Sequence, residues 1–564
     1  MNHKDKELEV ELEPLKQEIG NSKNIKDFDE ILDIVGAQGR YQKFLLYAVM
    51  CPIAALEPFL TLNTIFMLFE PEHWCQVPGR LNETSLDAWK NSTLPMEIGP
   101  DGQLRYSRCS MYDEQGGVTD CLNGWEFDKA DYDSTIATDY NWVCEHSHYS
   151  TDAFTIAAVG NVAGTILFGQ AADMYGRKPI FFLSMIINIF FRVVSIHVPQ
   201  YVWGFMAMQF LVGSAFPAMF ITPTMITAEI TDTDYRAWVY SLVWMVWVAG
   251  MAFLPYVAWV LRSWYTIGLA TSIPGVLVLL YLKLIPESPR WLVSVGKVKE
   301  AAEIILQIAK ENGTSDKITP AQLDSMLKQL VAKQEKATRV GVWTLFSRKR
   351  LALNTVLLTI SWSMNVLVYY GITLNTTQMA GNQFVNFFIL SIIELPSGYL
   401  GGVLADKLGR RWTQVVFFLG CALSCFAAGL GVTHPELYYF NTLCVIVAKF
   451  AITLTFLVVY LQGTEILPTP VRSTGSGFAS TIASALGIMG PSIVSLGKFH
   501  LGAPYHTMGA LSIVGMVASS FLPETLRQKL PETIEDASKF GRDNKFWSIV
   551  PVNHTDDEKK NGRN

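Results

Sequence analysis

The sequence predicts an all-α membrane protein, with about twelve transmembrane helices in two pseudo-symmetric six-helix bundles. Two observations carry this. Apolar residues come in blocks of roughly 18–25, the length an α-helix needs to cross ~30 Å of hydrocarbon, and the chain is 50% hydrophobic but only 17% charged, against roughly 25% charged in soluble domains. The chain also writes one polar cassette twice, as GQAADMYGRKP (Gly169–Pro179) and GVLADKLGRRW (Gly402–Trp412), each joining two apolar runs. The repeat extends beyond the cassettes. Asp406 follows Asp173 by 233 residues, Glu465 follows Glu229 by 236 and Glu524 follows Glu287 by 237. Duplication of a whole half-chain explains all three spacings.

Residues 1–43 form a polar tail without the apolar core of a signal peptide, so the first span acts as an uncleaved signal and the N-terminus is cytosolic. Phe28, Ile31, Leu32 and Val35 predict a short amphipathic helix lying on the membrane surface. The N-terminal bundle covers 44–285, with spans near 44–69, 151–172, 180–197, 201–222, 237–261 and 264–285. Residues 70–149 form a polar loop. The stretch 286–350 reads as cytosolic helices: VKEAAEIILQIAKENG stops at Gly313, and Thr319-Pro320 with Gln322 reads as a capping box. The C-terminal bundle covers 351–522, with spans near 351–374, 384–404, 413–432, 437–462, 475–496 and 505–522. A charged cytosolic tail, 523–564, closes the chain.

Lys and Arg in short loops set the orientation. Arg177/Lys178, Arg290, Lys407/Arg410/Arg411 and Arg472 lie on one side, and the opposite short loops hold little beyond Arg262 and Lys498. The 70–149 loop is therefore outside. Four of the eight cysteines fall in it (Cys75, Cys109, Cys121, Cys144), which suggests two disulfides with three possible pairings. Asn82 and Asn91 in the same loop are glycosylation acceptors.

In the cassettes, Gly176 and Gly409 allow tight turns. Asp173 and Asp406 can meet a helix N-terminus, where an anion is favoured by roughly 0.3–1 kcal/mol. Arg177 and Arg410 can pair with Glu229, Glu287, Glu465 and Glu524. Arg236 and Arg472 complete an E-x6-R spacing with Glu229 and Glu465. Recurring in both halves, this set reads as a cytoplasmic latch, made in one conformation and broken in another; the plainer alternative is a positive-inside topology marker.

These motifs resemble the major facilitator superfamily, whose halves are related by an axis along the membrane normal. FDEILDIVGAQGRYQ, PEHWCQVP, GWEFDKADYDSTIATDYNWVC, PESPRWL, NQFVNFF with IELPSG, EILPTPVR and LPETLRQKLPETIED resemble the organic cation/anion/zwitterion transporter family over nearly the whole chain. The resemblance implies the major facilitator fold and polyspecific plasma-membrane transport of small organic ions, by rocking of the halves about a central site.

Ionisable groups inside spans are costly and read as functional by default. Here they are Glu57, Arg192, Glu394 and Lys449. The resemblance places an acid at Glu394 and a base at Lys449 in cation transporters; the alternative is that the two pair structurally and touch no substrate. Arg192, near a helix end, is expected to snorkel to the interface. Tyr240, Trp244, Trp247 and Met251 recur as one helical stripe, which reads as packing or as cavity lining. The resemblance favours cavity lining for Trp244 and Trp247, and points to Trp362 and Tyr369 as well. Ser484 stands where relatives place a charge whose sign tracks the substrate, and Gln209 stands where the superfamily usually places arginine.

The leading reading is alternating-access transport of organic cations or amine-bearing zwitterions, such as biogenic amines, β-alanyl conjugates like carcinine, or carnitine-like compounds, facilitative or driven by membrane potential. Organic anion or Na⁺-coupled zwitterion transport is the alternative, and a non-transporting receptor a remote one. No nucleotide loop, nucleophile triad or metal-ligand spacing is present, so no enzyme activity, cofactor, metal or nucleic-acid partner is expected. The expected partners are a small organic ion and the lipid bilayer; nothing in the sequence sets an oligomeric state.

Overall fold

The computed structural model describes residues 28–77, 86–99, 104–113, 115–231, 233–335, 341–379, 381–526, 528, 531 and 533–541. After a short helix α1 (Asp29–Val35), the first half carries α2 (Arg40–Met67), α3 (Cys144–Tyr175), α4 (Arg177–Ser195), α5 (Val202–Glu229), α6 (Thr233–Leu261) and α7 (Trp264–Lys283). Two polar helices follow, α8 (Val298–Asn312) and α9 (Pro320–Glu335). The second half carries α10 (Lys349–Leu374), α11 (Gln383–Leu408), α12 (Arg410–Gly431), α13 (Tyr438–Ile466), α14 (Thr474–Lys498) and α15 (Ala503–Ser520). Among the described residues, 11 helices are long and apolar enough to cross a membrane. The twelfth, α15, is 18 residues long but is diluted by His506, Thr507, Ser512, Ser519 and Ser520. It packs against α10 and α12, burying Ser512 and Ser519.

Each half has its own core. One cluster runs from Phe28 to Leu330, the other from Leu345 to Phe540. Within the first half α3 and α5 approach backbone to backbone: a Cβ on Gly160 or Gly164 would strike the carbonyls of Phe210 and Ser214, the close packing that small residues permit. A third cluster joins the halves on the face that carries the 70–149 loop, and includes Phe66, Tyr132, Trp247, Phe384 and Phe387.

The membrane-surface placement of α1 is corrected. Ile31, Leu32 and Val35 are fully buried, and with Phe28 they pack into the core that holds Ile305, Ile308 and Leu323. Asn312 fixes the junction: its Nδ2 donates to the carbonyls of Val35 and Gly36, and its Oδ1 accepts from the Tyr41 backbone N–H. An amphipathic period records that an apolar partner exists; here the partner is protein. The Thr319/Gln322 capping box forms as the sequence implies.

The loop holds three two-stranded antiparallel ribbons, His73–Cys75 with Trp125–Phe127, Met96–Ile98 with Leu104–Tyr106, and Ser110–Tyr112 with Val118–Asp120. Of the three possible pairings the disulfides take Cys75–Cys121 and Cys109–Cys144. Asn91 is exposed on the helix Leu86–Thr93, and Asn82 lies outside the described residues.

Candidate functional site: a buried charge pair beside an aromatic bridge

Glu394 sits where α11 is interrupted, between the segments Gln383–Ile392 and Glu394–Leu408. It is fully buried, as is Lys449 of α13, whose Nζ lies 2.7 Å from the Glu394 Oε1. The Tyr369 hydroxyl of α10 donates to the same carboxylate at 2.9 and 3.1 Å. One turn on, the Thr373 Oγ1 accepts from the Lys449 Nζ at 2.7 Å. The ammonium also rests 3.5 Å from the centre of the Tyr369 ring. Both charges are thus compensated, the condition under which burial is tolerable.

Aromatic rings carry this cluster to the other half. Tyr369 meets Phe456 at 5.7 Å between ring centres, and Phe456 stacks on Trp244 of α6 at 6.4 Å. Trp244 stacks on Trp247 at 5.4 Å, and both meet Phe220 edge-on. Trp362 is apart from this row, edge-on to Tyr460 at 5.2 Å. Of the stripe along α6, Tyr240 is exposed while Trp247 and Met251 are buried. Ser484, half-buried on α14, makes none of these contacts. Thr373, Phe220 and Phe456 carry no charge or repeat that marks them in the sequence. Thr373 falls four residues after Tyr369, and Phe456 seven after Lys449, so helical spacing alone places each on the face of a flagged residue.

On the loop face the halves are closed. Phe66 of α2 packs on Phe384 and Phe387 of α11 at 5.9 and 5.2 Å. Tyr132 of the loop meets Phe384 at 5.2 Å and donates to the Gln383 Oε1 at 3.3 Å. Lys498 donates to the Ser147 carbonyl at 2.9 Å. Between this seal and the charge pair, the crevice bounded by Met251, Phe387, Ser391 and Glu394 is too small to hold a water molecule.

On the opposite face both cassettes form ion networks, each within its own half. Gly176 and Gly409 adopt φ of +108° and +88°, and a Cβ at either would strike the carboxylate of Glu287 or Glu524. Those acids, not Asp173 and Asp406, receive the helix N-termini. Glu287 accepts from the backbone N–H of Arg177 at 3.0 Å and of Lys178 at 3.2 Å. Glu524 accepts from Arg410 at 2.8 Å and Arg411 at 3.1 Å. Burial pushes the Glu287 carboxyl up, while these N–H groups and Arg177 pull it back. Asp173 and Asp406 instead stay mostly exposed and pair with Arg177 and Arg410 one turn on, at 3.1 and 3.0 Å.

The E-x6-R partners do not pair with each other. Arg236 meets Asp29 of α1, which also pairs with Arg290, and Arg472 donates to the Leu467 carbonyl. Arg192 does not snorkel either. It is buried, and donates to the Thr64 Oγ1 (2.7 Å), the Gln209 Oε1 (3.1 Å) and the Leu60 carbonyl (3.3 Å). The polar groups of two neighbouring helices, α2 and α5, solvate the guanidinium in place of headgroups.

Residues 122–536 match the sugar (and other) transporter family. The organic cation transporter 1 of Caenorhabditis elegans is 31% identical over 528 residues, covering 92% of this chain and 89% of that protein. The chain belongs to the organic cation, anion and zwitterion transporters of the major facilitator superfamily. The human organic cation/carnitine transporter 2 is 31% identical, over 91% of this chain and 94% of its own. The xylose transporter of E. coli in its inward open conformation matches with a TM-score of 0.59 at 16% identity, over 87% of this chain and 99% of that one, a likeness of fold alone. The chain is thus a multi-pass membrane transporter of all-α major facilitator fold.

Proposed function

We propose that this transporter moves small organic cations or amine-bearing zwitterions across the plasma membrane by alternating access, with both termini and the cassette face in the cytosol. The observation that carries the reading is Glu394, a carboxylate buried beside ring faces that bridge the two halves. The Lys449 ammonium, held by Glu394 and seated on Tyr369, occupies the kind of place a substrate ammonium needs. A ring face attracts such a charge by ~0.5–2 kcal/mol. In this scheme an incoming cation exchanges with Lys449 for the carboxylate, Tyr369, Trp244, Trp247 and Trp362 line its path, and Ser484 tunes selectivity. Lys449 also supports a second reading, in which it receives a substrate carboxylate in an anion or Na⁺-coupled zwitterion cycle.

Asp173, Arg177, Glu229, Arg236 and Glu287 in one half, with Asp406, Arg410, Glu465, Arg472 and Glu524 in the other, act as the cytosolic latch, exchanging partners across the halves when the outer face opens. Unchanged transport in Arg177→Ala with Arg410→Ala removes that role. Asn82 and Asn91 carry the glycans, read by a mass shift on enzymatic deglycosylation.

The deciding experiment is uptake of labelled amines, β-alanyl conjugates and carboxylates in voltage-clamped cells. A cation gains ~2.3 kcal/mol per 100 mV on entering a negative interior, so uptake falls on depolarisation. Glu394→Gln is expected to cut cation uptake more than uptake of neutral compounds. Equal loss for every substrate leaves the pair a purely structural one.

A further inference from the structure

A second cavity, of about 620 Å³, lies on the loop face, above the Phe66·Phe384·Phe387 seal and apart from the central site. Its size falls within the ~300–1,000 Å³ of small-ligand pockets. The loop forms one wall, and the outer ends of α2, α3, α10 and α14 form the others. Its lining is charged in both signs: Glu70, Glu72 and Glu97 against Arg105, Arg108 and Lys498.

Opposite charges face one another across the lining: Arg108 stands 3.6 Å from Glu72, longer than a hydrogen bond, and Arg105 pairs with Glu97. Glu70 feels two of the cations: burial pushes its carboxyl up, and Lys498 and Arg108 pull it down. The wall also holds the buried His73. Burial lowers its imidazole to about 4, the Pro71 carbonyl opposing and Arg108, Arg105 and Lys498 adding to the fall. His73 is therefore a neutral filler, and the positive charge of the lining is that of the two arginines and the lysine. The cavity floor includes Leu374, the residue next to Thr373, which holds Lys449.

We propose that this cavity is an outer waiting site for small zwitterions, compounds with an ammonium and a carboxylate on a short chain, occupied while the path to Glu394 is shut. The proposal rests on the transport reading for its orientation and purpose. Arg105, Arg108 and Lys498 receive the carboxylate, and Glu70, Glu72 and Glu97 the ammonium. A simple cation meets the acids but also three repelling bases, and a simple anion meets the reverse. Only a molecule carrying both signs satisfies the acids and the bases together, which makes this vestibule a selectivity step ahead of the central site.

The test reads the cavity directly. Ser495 lines it, so Ser495→Cys in the full chain, expressed in cells, offers a thiol to a membrane-impermeant methanethiosulfonate applied outside. The otherwise wild-type protein controls for its native free cysteines. β-Alanine is expected to slow the labelling, whereas propylamine and propionate at the same concentration leave it unchanged. Adding Arg108→Gln with Lys498→Gln raises the concentration for half-protection about tenfold, the equivalent of about 1.4 kcal/mol. Adding Glu394→Gln, which disables the central site, leaves protection intact. Absence of labelling from outside overturns the placement of the cavity. Labelling without protection by β-alanine, protection indifferent to the Arg108/Lys498 pair, or protection lost with Glu394→Gln each overturns the site. Protection together with failure of every amine in the uptake screen strikes the transport reading and leaves the binding site standing.

Discussion

The two halves bury their charge differently. In the second half Lys449 meets Glu394 at 2.7 Å, with Tyr369 and Thr373 completing a closed set. In the first half Arg192 rests on neutral acceptors, Thr64, Gln209 and the Leu60 carbonyl, while Glu57 is buried with its Oε2 lacking any hydrogen-bond partner among the described residues. A duplicated frame thus holds interiors that are not duplicates. The frame repeats because every copy must turn at Gly176 or Gly409 and seat a carboxylate beneath the next helix. On the proposed transport reading the interiors diverge because ionic recognition of the substrate lies in one half, around Glu394 and Lys449, while the other contributes the stacked Trp244/Trp247 wall.

The sharpest way to break this contrast is to remove one cation from each half. Lys449→Met leaves Glu394 buried and unpaired, and is expected to cost ~3–5 kcal/mol, read as a loss of thermal stability of the purified protein. Arg192→Met leaves behind only neutral acceptors, and is expected to cost under ~2 kcal/mol, because an apolar replacement of similar size avoids the desolvation of the cation. Equal losses would mean that Glu57 and Arg192 depend on one another after all. Restoring neutrality with Lys449→Met and Glu394→Leu together recovers stability but abolishes cation uptake.

A smaller effect separates the two cassettes. Arg410 grips Glu465 with two hydrogen bonds of 3.1 Å, whereas Arg177 stands 3.8 Å from Glu229. Arg410→Ala is expected to destabilise by ~1.5–3 kcal/mol, the range for hydrogen bonds to charged groups, and Arg177→Ala by ~0–1 kcal/mol, as for a loose ion pair. Thermal unfolding of the two purified variants compares the losses.

Much of this was legible in the sequence, for identifiable reasons. Glu394 and Lys449 stand out because a charge inside an apolar run has strong contrast, and the cassettes stand out because they recur. Phe456, Phe220 and Thr373 have no such contrast in helices already rich in apolar and small polar residues. The disulfide pairing and the Asp29 contacts with Arg236 and Arg290 depend on long-range folding that residue spacing does not encode. Arg192 reads as a snorkelling side chain because helix depth measures distance to lipid alone, whereas its partners, Thr64 and Gln209, lie on neighbouring helices. Leu32 is alike: its apolar partner is the core around Ile305 and Leu323, not lipid. Leu32→Ala is expected to cost ~2–5 kcal/mol, as for a core leucine, measured by thermal unfolding; a helix resting on lipid would tolerate it.

The stapled loop belongs by chain connectivity to the first half, yet its Tyr132 and Asp131 reach Gln383 and Asn382 of the second. Cross-braced at Cys75–Cys121 and Cys109–Cys144, the loop is a stiff body rather than a string. On the proposed alternating-access cycle, opening the outer face means lifting that body off Gln383 and Asn382, so an antibody clamped on the loop is expected to slow transport without touching the substrate.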